Sequence, residues 1–286
     1  MAARLLRSIH EVSATDWNAL NLCGQPFLRH EFLAALEDTG CVSSATGWIP
    51  KHLVLLNPQG TVIAAMPLYL KTHSIGEFVF DFSWAEFYNH HFSNAGLSYY
   101  PKLVSAIPFT PASGPRLLLA KNSDPQLLRG ELITALNSFT EELKLSSAHV
   151  LFPHEEELNA LKASGWLTRT QCQFHWFNRG YQSMEDFLSS FRADKRKKAR
   201  RERRRVLEEF GIQFKTLNGN ELNPELWQKV FSFLQTTFHQ HGHEHYLSPE
   251  FFQRIAQTLP TQVMVKLAEY RGEPVAAAIF FISNTT

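Results

Sequence analysis

The chain has 286 residues, 44% of them hydrophobic, with 23 Phe, 6 Trp and a formal net charge of +1. That length and aromatic content suit a full buried core, in two domains, and exclude a disordered polyelectrolyte. Cys23, Cys41 and Cys172 lie far apart and form neither a CxxC pair nor a disulfide framework, and no window reaches the about 18 apolar residues of a membrane span. The opening MAARLLRSIHEVSATDW lacks the apolar stretch of a signal peptide, so the reading is cytoplasmic.

In sequence order, Ser13 with Asp16 makes a capping box before Trp17 and Leu20, and Phe32, Leu33 and Leu36 mark a second helix ended by Gly40. HLVLL (52–56), the turn NPQG and TVIAAMPLYL (61–70) read as a β-hairpin. Phe78, Phe80, Phe82 and Trp84 alternate with smaller residues, which predicts a strand with one aromatic face. A Pro-punctuated loop precedes a strand at RLLLA, a helix near 125–144, a strand at HVLF (149–152) and a helix at 154–164.

The second half opens with Trp176 in an expected strand, and Ser183 with Asp186 caps a helix expected over 184–210. Asn223 caps a helix with Pro224 at its first position, and Ser248-Pro249 opens another. VMVKLAEY (263–270), RGEP and VAAAIFFI (275–282) form a second hairpin. The two hairpins share a Gly-led stretch, Gly60 to Ala65 and Gly272 to Ala277, and each follows a pair of helices. The expectation is one unit used twice, over 1–168 and 169–286, with the second unit incomplete and truncated at its C-terminal end.

Charge is distributed unevenly. Ten of the fourteen residues from Arg192 to Arg205 are Lys or Arg, and only Asp194 and Glu202 are acidic. The run carries +8, and the 18 basic and 25 acidic residues elsewhere leave the rest of the molecule at −7. Between Phe191 and Val206 only Ala193 and Ala199 are apolar, so the helix middle must stand in water. Ion pairs of Asp194 with Lys197 and Lys198, Glu202 with Arg205 and Glu208 with Arg204 add about 0.2–0.5 kcal/mol each, too little to offset ten crowded cations. An anionic partner explains the run better than a solvated face. With no aromatic inside it, the run grips phosphates and reads no base sequence.

In YYPKLVSAIPFTPASGPRLL (99–118), four prolines stiffen a loop that carries Tyr99, Tyr100, Lys102 and Arg116, a rigid polar frame for a substrate. His239, His241, His243 and His245 alternate around Gly242 in an expected loop without HExxH spacing, so no metal is assigned. Acyl transfer to an amine needs a base and an oxyanion donor. His175, Asp81, Glu86 and Glu269 are the candidate bases, and no spacing singles one out.

Helix pair, hairpin and strand–helix repeats follow the order of the GNAT acyltransferase fold. HEFLAALEDTG, GWIPKHLVLL, PLYLKTHSIGEFVFDFSW, YYPKLVSAIPFTPASGPRLL, QFHWFNRGY and the basic run followed by Gly make the protein similar to the bacterial FemAB-like family, doubled GNAT-type proteins grouped under peptidoglycan biosynthesis or recognition. The resemblance spans about Phe27 to Ile282. It implies an α+β fold of duplicated GNAT-like units with mixed, largely antiparallel sheets, and an acyl or aminoacyl transferase acting on an amine, with acyl-CoA or aminoacyl-tRNA as co-substrate and no covalently bound cofactor. Tyr100, Lys102 and Arg116 would line the cleft. Lys195, Arg196, Arg200 and Arg203 would dock an anionic small molecule, a cell-wall precursor or tRNA. Two features depart from the family pattern. Lys198 and Ala199 stand where relatives carry Asn and an aliphatic residue, and neither hairpin is followed by a Gly-rich, basic phosphate loop. The rival expectation is a non-catalytic binding module for nucleic acid or an anionic envelope component. Oligomeric state is not readable from the sequence.

Overall fold

The computed structural model describes Met1 to Ser283. The fold begins with strand β1 (Ala2–Leu5), helices α1 (Ala14–Leu20) and α2 (His30–Asp38), then strands β2 (Trp48–Pro50), β3 (Leu53–Leu56), β4 (Val62–Met66) and β5 (Tyr69–Lys71). Helix α3 (Phe82–Phe92), β6 (Lys102–Ser105), β7 (Leu118–Leu119), α4 (Pro125–Glu142), β8 (Ala148–Val150) and α5 (Glu155–Ala163) follow. The remainder is α6 (Met184–Ser189), α7 (Ala193–Arg204), β9 (Gln213–Asn218), α8 (Pro224–Gln240), α9 (Pro249–Thr258), β10 (Val263–Tyr270) and β11 (Glu273–Phe281).

Three sheets organise these strands, in the orders β1-β3-β4-β7, β2-β5-β6-β8 and β9-β10-β11. All pairs are antiparallel except β6 with β8. The architecture is α+β with mixed sheets. Expected helix starts appear where local chemistry sets them. Ser13, Asn223 and Ser248 each accept a backbone N–H from three residues on, satisfying a donor that the first helical turn leaves free. The second hairpin turns on Arg271 and Gly272, both at positive φ, the two-residue geometry that matches strand twist.

Several expectations are corrected. The 61–70 stretch is not one strand, because Pro67 has no N–H to donate to a ladder and the backbone passes there from the first sheet to the second. The aromatic stretch at 78–84 is not extended: Phe78 and Phe80 take φ of +60° and +49°, and helix α3 begins at Phe82. Trp176 lies in an irregular segment with no ladder. The basic helix is interrupted, since Ser189 and Ser190 turn their hydroxyls onto the carbonyls of Asp186 and Phe187 and Arg192 is extended (ψ 150°). A π-turn at Arg205–Glu209 then closes α7. Strands β1, β2, β6 and β9 have no counterpart in the sequence reading.

A similar succession of strand, 3-10 turn, two helices and hairpin runs from β9 through α8 and α9 to β10–β11 and from β1 through α1 and α2 to β3–β4, where a second 3-10 turn between the helices and strand β2 before the hairpin are additional. In both, the leading strand pairs with the first strand of the hairpin. Trp17 and Trp227 each stand four residues after their N-caps, and Glu-Phe fills the second and third positions of both α2 and α9. The matched phenylalanines meet. Phe32 packs edge-on against Phe251 at 5.5 Å, and Phe281 joins them by contacting Phe27 and Phe32. A single apolar cluster therefore runs from Leu6 and Trp17 through α2 and α9 to Val265 and Leu267. A second cluster lies under α4, where Leu53, Leu55, Ala64 and Met66 point to the opposite sheet face from Val54 and Ala65, the period of two expected of strands.

Candidate functional site

A network of buried charge sits where the loop after β5 meets β6. Lys102, at the start of β6, sends its ammonium to Glu77 Oε2 (2.9 Å), Asp81 Oδ2 (2.5 Å) and Ser74 Oγ (2.9 Å). The Tyr99 hydroxyl donates to the same Asp81 oxygen at 2.7 Å, and Tyr100 OH shares a 2.8 Å hydrogen bond with Ser74. Lys102, Glu77 and Asp81 are at most 2% exposed, while Tyr100 is half-buried and carries the network toward the surface. Charges this deep persist only when paired and hydrogen-bonded. Among the described residues, Glu77 Oε1, Asp81 Oδ1 and Ser105 Oγ have no hydrogen-bond partner.

The loop that supplies both carboxylates is conformationally constrained. Phe78 and Phe80, in the left-handed region that costs a bulky residue energy, bracket Val79 between the two acids. Gly76 is needed because a Cβ there would meet the Phe109 ring at 2.6 Å. Phe109 in turn stacks on Tyr246 at 5.3 Å, and Phe78 meets the same tyrosine edge-on. The loop between α8 and α9 thus roofs the acid-bearing loop of the first half.

Electrostatics separate the members. Burial pushes the Asp81 carboxyl up, but hydrogen bonds from Lys102, Ser74 and Tyr99 overcome it and hold the group at about 2. Burial raises Glu77 above the ordinary carboxylate range despite Lys102, which makes it the more basic acid of the pair. Lys71, over the Trp48 ring at 3.8 Å, is lowered to about 7 by burial. His149 is lowered to about 4 by burial, reinforced by Lys102. The arrangement holds a fixed ammonium between carboxylates of unequal basicity and ties it through Ser74 to the Tyr100 hydroxyl.

Asp81, one of the candidate bases, and Tyr100 with Lys102, both from the Pro-rich stretch, are brought together here. The other candidates stand apart. Arg116 is wholly buried, its guanidinium on the carbonyls of Ala112, Gly114 and Pro115, and its backbone N–H is held by Glu157. It ties down its own loop rather than facing a cleft, and burial lowers it to about 10. Glu86 is exposed on α3, and exposed His175 sits 3.2 Å from Gln173. Glu269 pairs with Lys215 within the third sheet, at 2.8 Å. His245 packs edge-on against Phe231. Sequence reasoning missed Glu77, Ser74, Lys71 and His149. The available signal was GEFVFDFSW, with two acids four apart in an otherwise aromatic stretch.

The second feature is α7, in which no residue is buried. Lys195, Arg200 and Arg203 are exposed, and Arg196 donates to Ser189 O. The ion pairs are Lys198–Glu202, Arg205–Glu209 and Arg200–Glu185, not those anticipated. An open groove of about 280 Å³ between α6 and α7 is lined by Arg200, Arg203 and Arg204 beside Glu185 and Glu208. Among the described residues, no helix is long and apolar enough to cross a membrane.

No curated protein matches the sequence. Among solved structures, the tetramutant of BH1408 protein from Bacillus halodurans is 8% identical with a TM-score of 0.33, covering 62% of this chain and 100% of that one. A family model described as peptidoglycan biosynthesis/recognition matches residues 8–286, nearly the whole length, and the chain belongs to this FemAB-like family.

Proposed function

We propose that this protein is a cytoplasmic acyl or aminoacyl transferase of peptidoglycan biosynthesis, built of two GNAT-type units over 1–168 and 169–286, that acts on an amine acceptor. The observation that carries the reading is α7 with its flanking residues: ten cations from Arg192 to Arg205, no buried residue in the helix, and a groove lined by Arg200, Arg203 and Arg204 beside Glu185 and Glu208. A cluster so one-sided suits a phosphate-bearing donor or acceptor, with aminoacyl-tRNA, acyl-CoA or a nucleotide-linked cell-wall precursor as the candidates. Lys195, Arg196, Arg200 and Arg203 dock it. Asp81, Lys102 and Tyr100 hold the acid-bearing loop beside Glu77.

Salt dependence tests this directly. Binding to tRNA should weaken steeply with salt, with a slope of log K against log salt of about −0.7 per phosphate neutralised. The Arg196→Gln/Arg200→Gln/Arg203→Gln variant should flatten that slope by about two. An unchanged slope, with tRNA and with a nucleotide-linked precursor alike, overturns the reading.

A specific observation favours a second reading, a non-catalytic binding module. Asp81 Oδ2 and the Lys102 ammonium are satisfied by each other and by Tyr99 and Ser74, as in a structural brace. Tight precursor binding without turnover in the presence of each donor class selects it.

A further inference from the structure

Between α5 and α6 the sequence reads QFHWFNRGY, and three of its rings face solvent: Phe174 is 99%, Trp176 65% and Phe177 69% exposed. Both flanks are anchored. Gln171 and Gln173 donate to the carbonyls of Val79 and Pro111, and the Asn178 side chain accepts from the N–H groups of Gly180 and Tyr181 in a tight turn. Trp176 and Tyr181 both contact Phe187 of α6, and Phe187 packs edge-on against Phe191, one residue before the basic run begins. An outward aromatic wedge and the basic run on α7 are therefore joined through one small aromatic cluster.

Neither element alone names a partner, but the pair does. Aromatic and Lys/Arg groups side by side are what a protein presents to a membrane interface, rings among the upper acyl chains and cations against headgroup phosphates. Two of the three rings are Phe, which have no polar edge to satisfy. We propose that the Phe174–Phe177 wedge and α7 together form a docking surface for a bilayer rich in anionic phospholipid. The proposal rests on the reading of α7 as an anion-gripping helix and gives that helix its partner.

The test uses the full-length protein, vesicles of phosphatidylglycerol mixed equally with phosphatidylcholine, vesicles of phosphatidylcholine alone, and free tRNA. The parent should cosediment with the anionic vesicles and not with the neutral ones. Replacing Phe174, Trp176 and Phe177 by Ser should weaken vesicle binding about tenfold while leaving tRNA affinity unchanged. The Arg196/Arg200/Arg203→Gln variant should weaken both, the vesicle arm by about a hundredfold. A dye on exposed Cys172, in a Cys23→Ser background, should shift to the blue on anionic vesicles with the wedge intact, a readout independent of how the Ser variant folds. Vesicle binding untouched by the Ser changes, together with an unshifted dye, overturns the membrane surface while leaving α7 as an anion site. Parallel loss of tRNA binding in the Ser variant makes the wedge a base-stacking platform and likewise overturns it. A parent that ignores both vesicles and tRNA overturns the α7 reading as well.

Discussion

Around Lys102 an ammonium and two carboxylates are held at no more than 2% exposure, whereas eight of the ten cations from Arg192 to Arg205 stand on a helix, α7, with nothing buried. In the first region the Lys102 ammonium donates short hydrogen bonds to Ser74 and both acids, and Tyr99 donates to Asp81; the second leaves most of its charge to water. Buried charge is costly to unpair, and exposed charge is cheap to change. The same side-chain types therefore carry opposite expectations: the Lys102 region should fail in stability when altered, and α7 should fail in binding.

The largest effect is expected from Lys102→Met, which leaves Glu77 and Asp81 buried without their cation. Denaturant unfolding should register a loss of about 3–5 kcal/mol. A loss under about 1 kcal/mol would mean that the network relaxes freely and would erase the contrast with α7.

Next come two pH effects of opposite origin. Asp81 is depressed from 3.8 to about 2, so its stabilisation is complete above 3.8 and is lost as pH falls through 2. Acid unfolding of Asp81→Asn should lack that portion of the wild-type curve. Lys71 is depressed from 10.5 to about 7, so the unfolded state binds the extra proton between those values and stability gained from this group rises with pH across that window. The melting temperature of Lys71→Met relative to wild type should consequently decline from pH 7 toward pH 10. A difference that stays flat across that range removes Lys71 from the buried set.

The smallest effect sharpens the other side. The Arg196/Arg200/Arg203→Gln variant should change fold stability by no more than about 0.5 kcal/mol, since these side chains lie on an unburied helix. A clear drop in melting temperature, with polyanion binding intact, would make α7 part of the framework.

Much of the frame was legible because its signals are local. Ser13, Asn223-Pro224 and Ser248-Pro249 announce helices within four residues, and Gly60 and Gly272 mark the hairpins by the positive φ their turns require. The two hairpins were legible from their Gly-led turns, and Trp17 with Trp227 and the paired Glu-Phe are further local parallels between the halves. The stretch from Phe78 to Trp84 misled because its conformation is decided at a distance: Glu77 and Asp81 reach for Lys102, 25 and 21 residues away, and the backbone between them bends to allow it. Side-chain type selected Asp81, the Pro-stiffened loop selected Tyr100 and Lys102, and the fold joined them. Neither signal could reveal that Arg116 turns inward onto its own loop, since periodicity carries no information about which carbonyls a guanidinium will find.

The aromatic joint of Phe27, Phe32, Phe251 and Phe281 has a consequence for how the molecule forms. Phe27 and Phe32 precede Phe281 by some two hundred and fifty residues, so the joint closes only after β11 has been synthesised. Until α9 and then β11 arrive, α2 keeps part of an apolar face uncovered, and contacts of such long sequence separation are assembled late and slowly. A nascent polypeptide should therefore expose Phe32 until α9 has been made, and the joint should complete only when Phe281 closes onto it.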